Sequence, residues 1–146
     1  MAFSAGVDST FLLKTAHMIL GECAIALTAS SATAPPGELV AAREFAASLD
    51  IRHIVLDSHE LANPSFAQNP VNRCFFCKDE LYRICREQAD HLGIATIMDG
   101  TNLDDLRDHR PGLKAAKEWG VRHPLVEAGM TKDDIRRYSR ELKLPT

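Results

Sequence analysis

The chain has 146 residues, 45% of them hydrophobic and 25% charged, which is the composition of one ordinary globular domain and argues against a disordered chain. A formal net charge of −3 offers no general basic field for nucleic acid, and no apolar run reaches the ~20 residues a membrane span needs. The four cysteines, Cys23, Cys74, Cys77 and Cys85, do not read as a secreted disulfide framework in so α/β-patterned a chain, and the expected compartment is the cytoplasm.

In chain order, Met1-Ala2-Phe3 reads as the stub of a buried strand. Ser4-Ala5-Gly6-Val7-Asp8-Ser9-Thr10 then packs small residues, hydroxyls and one carboxylate into a turn. Val7, Phe11, Leu12, Thr15, Ala16 and Ile19 recur at helical spacing, so the turn sits where a helix begins. The unpaired N–H groups and positive dipole end of that helix face an anion. Neither a Gly-Lys-Ser/Thr ending nor a three-glycine dinucleotide fingerprint is present.

Residues 23–28 read as a strand, and Pro36-Gly37-Glu38 opens a helix with Leu39, Val40, Phe45, Ala46 and Leu49 on its apolar side. Residues 51–56 form the next strand. From 57 to 72 the pattern fails, broken by Asn63-Pro64 and Asn69-Pro70, which predicts a long loop or broken helix. Residues 78–92 are helical, with Leu81, Tyr82, Cys85, Ala89 and Leu92 on one side, and 95–98 form a strand ending at Asp99-Gly100. Two helices follow over 111–119 and 131–142. The second is opened by Thr131 with Asp134 three residues on, close to a capping box, and its Ile135, Tyr138 and Leu142 face inward. Its Arg136, Arg137 and Arg140 then form a solvated face. Alternating short apolar runs and helices predict βαβ units and a parallel sheet.

Ligands of such sheets lie beyond the carboxyl ends of the strands. Three loops there carry chemistry. The first is the Ser4–Thr10 turn. The second is Thr28-Ala29-Ser30-Ser31, read equally as a base or ribose contact and as a solvated loop. The third, Asp99-Gly100-Thr101-Asn102-Leu103-Asp104-Asp105, gathers three carboxylates, a hydroxyl and an amide, a set suited to Mg²⁺. A Cys-x-x-Cys pair lies in Asn69-Pro70-Val71-Asn72-Arg73-Cys74-Phe75-Phe76-Cys77-Lys78; zinc, redox and iron–sulfur readings each lack a part, and two partly buried thiols are the preferred account. Arg73 and Lys78 would neutralise a transferring phosphoryl group. The six histidines, His17, His53, His59, His91, His109 and His123, have no metal-ligand spacing and are expected in surface or structural roles.

The first loop resembles the PP-loop, Ser-Gly-Gly-x-Asp-Ser, of the ATP pyrophosphatases. With it, residues 69–78, 99–105, Arg110-Pro111-Gly112, Gly120-Val121-Arg122 with Pro124-Leu125, and residues 140–146 occur together and in order. That set resembles the LarE family of ATP-dependent sacrificial sulfur transferases over nearly the whole chain. The resemblance implies a three-layer, Rossmann-like α/β domain of the HUP (adenine nucleotide alpha hydrolase-like) type, with its first strand truncated. It implies ATP and Mg²⁺ as cofactors and adenylation of a carboxylate on a pyridinium mononucleotide, followed by sulfur transfer toward a nickel-pincer nucleotide. Ser4, Ala5, Gly6, Val7, Asp8, Ser9 and Thr10 would hold pyrophosphate, Thr28, Ser30, Gly100, Thr101 and Asn102 would complete the nucleotide site, and Asp8, Asp104 and Asp105 would hold the metal. Asp8, Lys78 and Arg73 would carry the catalysis.

Ala5 stands where the family has Gly, and a methyl group is costly there if φ must be positive. The sulfur-donating cysteine of the family lies beyond the Leu144-Pro145-Thr146 segment, so residues 1–146 are expected to be the adenylating domain of a longer enzyme, without the sulfur-donor domain. Two rivals stay open. One is another PP-loop enzyme, a tRNA thiolase or an amide-forming synthetase of the NAD, GMP or asparagine type. The other is a truncated, non-catalytic nucleotide-binding module. Membrane and nucleic-acid partners are not expected, and homo-oligomerisation stays open.

Overall fold

Residues 1–3 are the middle of the sheet, although too short to form a full strand. The Phe3 N–H donates to the Leu27 carbonyl at 2.9 Å, the Leu27 N–H to the Met1 carbonyl at 2.8 Å, and on the other side the Ala2 N–H donates to the Met98 carbonyl at 3.0 Å. The computed structural model describes residues 1–30, 35–57, 73–107 and 111–146, with the backbone alone for 73–76 and 111. The expected loop over 57–72, with its Asn-Pro breaks, and Arg110 therefore lie almost wholly outside the described residues.

Helix α1 (Val7–Leu20) leads through a short 3₁₀ turn into β1 (Ile25–Ser30), α2 (Pro36–Ser48) and β2 (Arg52–Asp57), and β1 and β2 pair in parallel from Ile25↔Arg52 to Ser30↔Asp57. Helix α3 (Arg73–Leu92), a 3₁₀ turn (Asp104–Arg107), α4 (Pro111–Glu118), the single turn α5 (Pro124–Glu127) and α6 (Lys132–Glu141) complete the order. Single parallel bridges, Ala2↔Leu27 and Met98↔Arg122, extend the ladder. The order across the sheet is β2, β1, residues 1–3, residues 97–99 and residues 121–122.

Period-two alternation divides the core. Ala2 and Leu27 face α3 and α4, where they pack with Tyr82, Ile84, Cys85, Ala89, Ala115 and Ala116. Phe3 and Ala26 face the other way, onto Leu13 of α1 and Ala42, Phe45 and Ala46 of α2. A third cluster joins Phe11 and Leu12 to Leu125 and Ile135. Helices thus cover both faces of a parallel sheet, the three-layer Rossmann-like arrangement.

Several expectations shift. β1 starts at Ile25 rather than Cys23, because Gly21 at φ +57° ends α1 and the chain needs one tight turn to reverse. Helix α3 begins at Arg73, five residues before the expected start at Lys78, so the Cys-x-x-Cys pair is helical. Residues 95–98 make one bridge rather than a ladder. Val40 is exposed, while Ala42 takes its place inside. On α6, Ile135 is fully buried, but Tyr138 and Leu142 lie at the surface, and it is Ser139 that turns inward. The capping box of α6 forms as expected, with the Asp134 N–H donating to Thr131 Oγ1 and the Thr131 N–H to Asp134 Oδ2. Among the described residues no helix is long and apolar enough to cross a membrane.

Candidate active site

A cleft of about 760 Å³ opens beyond the carboxyl ends of the strands. It is centred where the strand order reverses, between residues 1–3 and residues 97–99, the position at which open parallel sheets bind ligands. The beginnings of α1, α2, α4 and α6 and the second turn of α3 converge on it through Asp8, Pro36, Leu113, Lys132 and Lys78.

The first turn of α1 forms one wall. Gly6 is the N-cap, with φ −72° and ψ 170° and no side-chain cap, so the leading N–H groups are left without side-chain acceptors. Ser9 Oγ is held loosely, 3.3 Å from the Ser4 N–H and from Ser4 Oγ and 3.4 Å from the Gly6 carbonyl. Such long bonds are readily exchanged for a phosphate oxygen. The preceding Ala5 has φ +65°, the left-handed region in which a side chain is strained. That is the backbone a glycine would adopt freely, and it gives physical content to the expected glycine at this position.

The facing wall is Gly100, whose backbone lies directly on that turn. A Cβ built there would come within 2.9 Å of the Ser9 nitrogen and 3.1 Å of the Asp8 carbonyl carbon. Just before it, Asp99 is buried and spent. Its Oδ1 accepts from the His123 Nδ1–H at 2.7 Å and the Thr101 N–H at 3.1 Å, and its Oδ2 accepts from the Tyr82 hydroxyl. Burial alone would raise its carboxyl, but the bonds from His123 and Tyr82 bring it down to about 2.

The remaining acidic residues divide. Asp8 Oδ2 accepts from Lys132 Nζ at 2.9 Å, whereas its Oδ1 is buried with no hydrogen-bond partner among the described residues. Asp104 Oδ2 accepts from the Lys132 N–H at 2.8 Å, and Asp105 Oδ2 from the Asn102 N–H at 2.9 Å. No cluster of three metal-ligating side chains occurs among the described residues. Of the three expected metal ligands, Asp8 alone presents an orphaned oxygen.

Ser4, Gly6, Val7, Asp8, Ser9, Thr28, Ser30, Lys78, Gly100, Thr101 and Asp105 all line the cleft. Thr10 is instead buried within α1, and Asn102 is buried in reciprocal bonds with Asp105. Ala5 and Asp104 flank the lining. The Arg73 and Cys74 side chains lie outside the described residues; Cys77 lines the cleft beside Lys78. Thr28 is committed, since its hydroxyl donates to the Phe3 carbonyl at 2.7 Å and therefore accepts from His53 Nε2 at 2.7 Å. Burial and nearby Arg43 push the His53 pKa down, which favours the neutral ring, and the bond to Thr28 puts its proton on Nε2.

Sequence reasoning missed Lys132, which the Thr131 cap places at the first helical position of α6 facing Asp8. The cap itself was the available signal, because it dictates which residue starts the helix. It also missed that His53 and His123 brace the loops around the cleft.

Known proteins resemble the chain along its whole length. Over 147 residues the chain is 34% identical to the pyridinium-3,5-bisthiocarboxylic acid mononucleotide synthase of Lactiplantibacillus plantarum, a LarE protein, covering 99% of this chain and 52% of that one. The chain is similar to a LarE-type synthase over its whole length. An uncharacterized Synechocystis protein is 46% identical over 145 residues, again 99% of this chain and 54% of the relative. The chain thus spans about half the length of the curated relatives it matches. No family model matches it.

Two solved structures support the fold. One is the NH3-dependent NAD synthetase of Campylobacter jejuni in complex with nitrate, with a TM-score of 0.62 at 14% identity, covering 97% of this chain and 72% of that one. The other is a predicted subunit of tRNA methyltransferase from Methanocaldococcus jannaschii, with a TM-score of 0.65 at 21% identity, covering 96% and 72%. The chain therefore shares the α/β fold of these two structures.

Proposed function

We propose that this domain binds ATP and adenylates a carboxylate of a pyridinium-type mononucleotide, the step that precedes sulfur transfer in LarE-type synthesis. The observation that carries the reading is the meeting of an uncapped helix N-terminus, two lysines and one orphaned carboxylate oxygen at the switch point of a parallel sheet. In the reaction the substrate carboxylate oxygen bonds to the α-phosphorus while the bond to the bridging oxygen breaks. An acyl-adenylate forms and pyrophosphate leaves. No general base is required for an ionised carboxylate.

The chain's own part is position and charge. The leading N–H groups of α1 with Ser4 and Ser9 receive the pyrophosphate oxygens. Lys78 on α3 and Lys132 on α6 lie on the cleft wall and offset charge on the phosphates. Asp8 would hold Mg²⁺ through its orphaned Oδ1, and the ion would supply positive charge to offset that of the phosphates. Asp104 and Asp105 contribute through the turns they build rather than through the metal. Thr101 and the Ser30 loop would meet the nucleoside, and Thr28 braces the strand end from which the PP-loop departs.

The test is pyrophosphate release by the purified chain from Mg·ATP, with and without a pyridinium dicarboxylate mononucleotide. Substrate-dependent release is expected, and Asp8→Ala should reduce it by at least about 10²-fold, the equivalent of losing several kcal/mol of charge stabilisation. Release by Asp8→Ala at the unaltered rate would remove Asp8 from the mechanism. Saturable ATP binding without release would favour a non-catalytic nucleotide-binding module.

A further inference from the structure

Asp99 poses an electrostatic problem that the site as described does not resolve. A buried carboxylate lines the cleft in which a pyrophosphate group has to sit, and like charges in a partly desolvated cleft repel strongly. Three donors cover it, but the Tyr82 hydroxyl and the Thr101 N–H are neutral. Among the described residues, His123 is the hydrogen-bond partner of Asp99 that can bring a compensating charge. Its ring is held by the geometry of the last strand segment and the first turn of α5, where it is the N-cap residue.

We propose that His123 is a positioning residue of the nucleotide site: through Asp99 it holds the Gly100–Thr101 turn against the first turn of α1 and, as the counter-ion of that carboxylate, keeps this wall of the cleft receptive to a phosphate chain. The proposal rests on the ATP-binding reading given above. His123 does not itself line the cleft among the described residues, so it acts through Asp99 and Gly100 rather than on the substrate. Close approach transmits the position. Gly100 sits so near Ser9 that a methyl group would not fit between them, and a displaced Asp99 displaces that contact.

The groups facing His123 are Asp99 on the strand segment, Glu127 on α5 and Lys78 on α3. The hydrogen bond to Asp99 raises its pKa, opposed by burial and helped by the charges of Asp99 and Glu127. Below that raised value the pair is neutral overall. Above it the His123 Nδ1–H still donates, but the cleft wall carries an uncompensated negative charge, so phosphate affinity falls.

The experiment uses the full chain and inorganic pyrophosphate with Mg²⁺ as probe, titrated calorimetrically from about pH 6 to about pH 9. His123→Gln keeps a donor for Asp99 but cannot be charged. It should bind pyrophosphate roughly tenfold more weakly than the wild type at the acid end, match it at the alkaline end, and show a profile without the wild type's inflection. Asp99→Asn removes the carboxylate whose hydrogen bond and charge raise the His123 pKa, and should move the inflection to lower pH. His123→Ala, lacking donor and charge, should be weaker across the range, with His123→Gln restoring the alkaline affinity. A His123→Gln profile identical to the wild type's overturns this inference alone. A wild-type chain that is folded yet binds neither pyrophosphate nor ATP at any pH overturns the functional reading and this inference with it.

Discussion

Ala5 shows how one residue can report the conformation its neighbours require. It adopts φ +65°, at a cost of about 1–2 kcal/mol for an L side chain. Glycine would remove that strain but would add about 0.4–1 kcal/mol of unfolded-chain entropy. Ala5→Gly is therefore expected to be neutral to stabilising by up to about 1 kcal/mol, and to preserve or improve ATP affinity because the loop no longer resists its bound shape. Thermal melting and ATP titration of the variant check this. A clear fall in both would mean that the methyl group contributes packing that outweighs the strain, since Ala5 touches the cluster of Phe3, Leu13 and Phe45.

Elements position the site by where they begin, and glycine placement decides how near two of them can come. Gly100 and Gly37 provide a matched contrast. A Cβ at Gly100 meets the backbone of Ser9 and Asp8, which cannot yield as a side-chain tip would, whereas one at Gly37 in the first turn of α2 meets nothing within 4 Å. Gly100→Ala should cost about 1–3 kcal/mol and weaken ATP binding, as overpacking pushes the strand-end turn off α1. Gly37→Ala should be tolerated or gain up to about 1 kcal/mol from helix propensity. Equal melting temperatures for the two variants would show that the Gly100 contact relaxes without consequence. This difference was not legible in the sequence, where both are single glycines near a predicted boundary. The Ser4–Thr10 turn, the strand stub and the α6 cap were legible, because period, helix-start chemistry and a short motif are local. Lys132, the buried Asp99 and the exposed Tyr138 were not, since each depends on which element packs beside it. The same holds for Asp104 and Asp105, each of which has one oxygen taken by a backbone N–H that only the folded turn brings near.

At the scale of the molecule, the cleft is built from the starts of helices that otherwise belong to opposite faces of the sheet. There the first turn of α1 meets the strand-end turn through Ser9 against Gly100 and meets α6 through Asp8 against Lys132. A ligand bridging these elements binds the folded chain alone and must stabilise it. At a Mg·ATP concentration of 100 times Kd the gain is about 2.7 kcal/mol. For a domain of this size that raises Tm by roughly 5–10 °C. The pH dependence of the unliganded chain carries a separate signature. His123, with its raised pKa, contributes stability that is full below its unfolded value near 6.5 and is lost as pH rises through its folded value. Asp99, depressed to about 2, contributes above its unfolded value of 3.8 and loses that contribution as pH falls through about 2. The melting temperature without ligand should therefore decline on the alkaline side of neutrality, and His123→Gln should abolish that decline while leaving the acid limb intact. Melting curves with and without Mg·ATP, for the wild type and His123→Gln, read both effects in one series. An alkaline decline that persists in the variant would place its origin elsewhere than the His123–Asp99 pair, and an absent ATP shift in a cooperatively melting chain would mean that the two sides of the sheet meet without forming a nucleotide site.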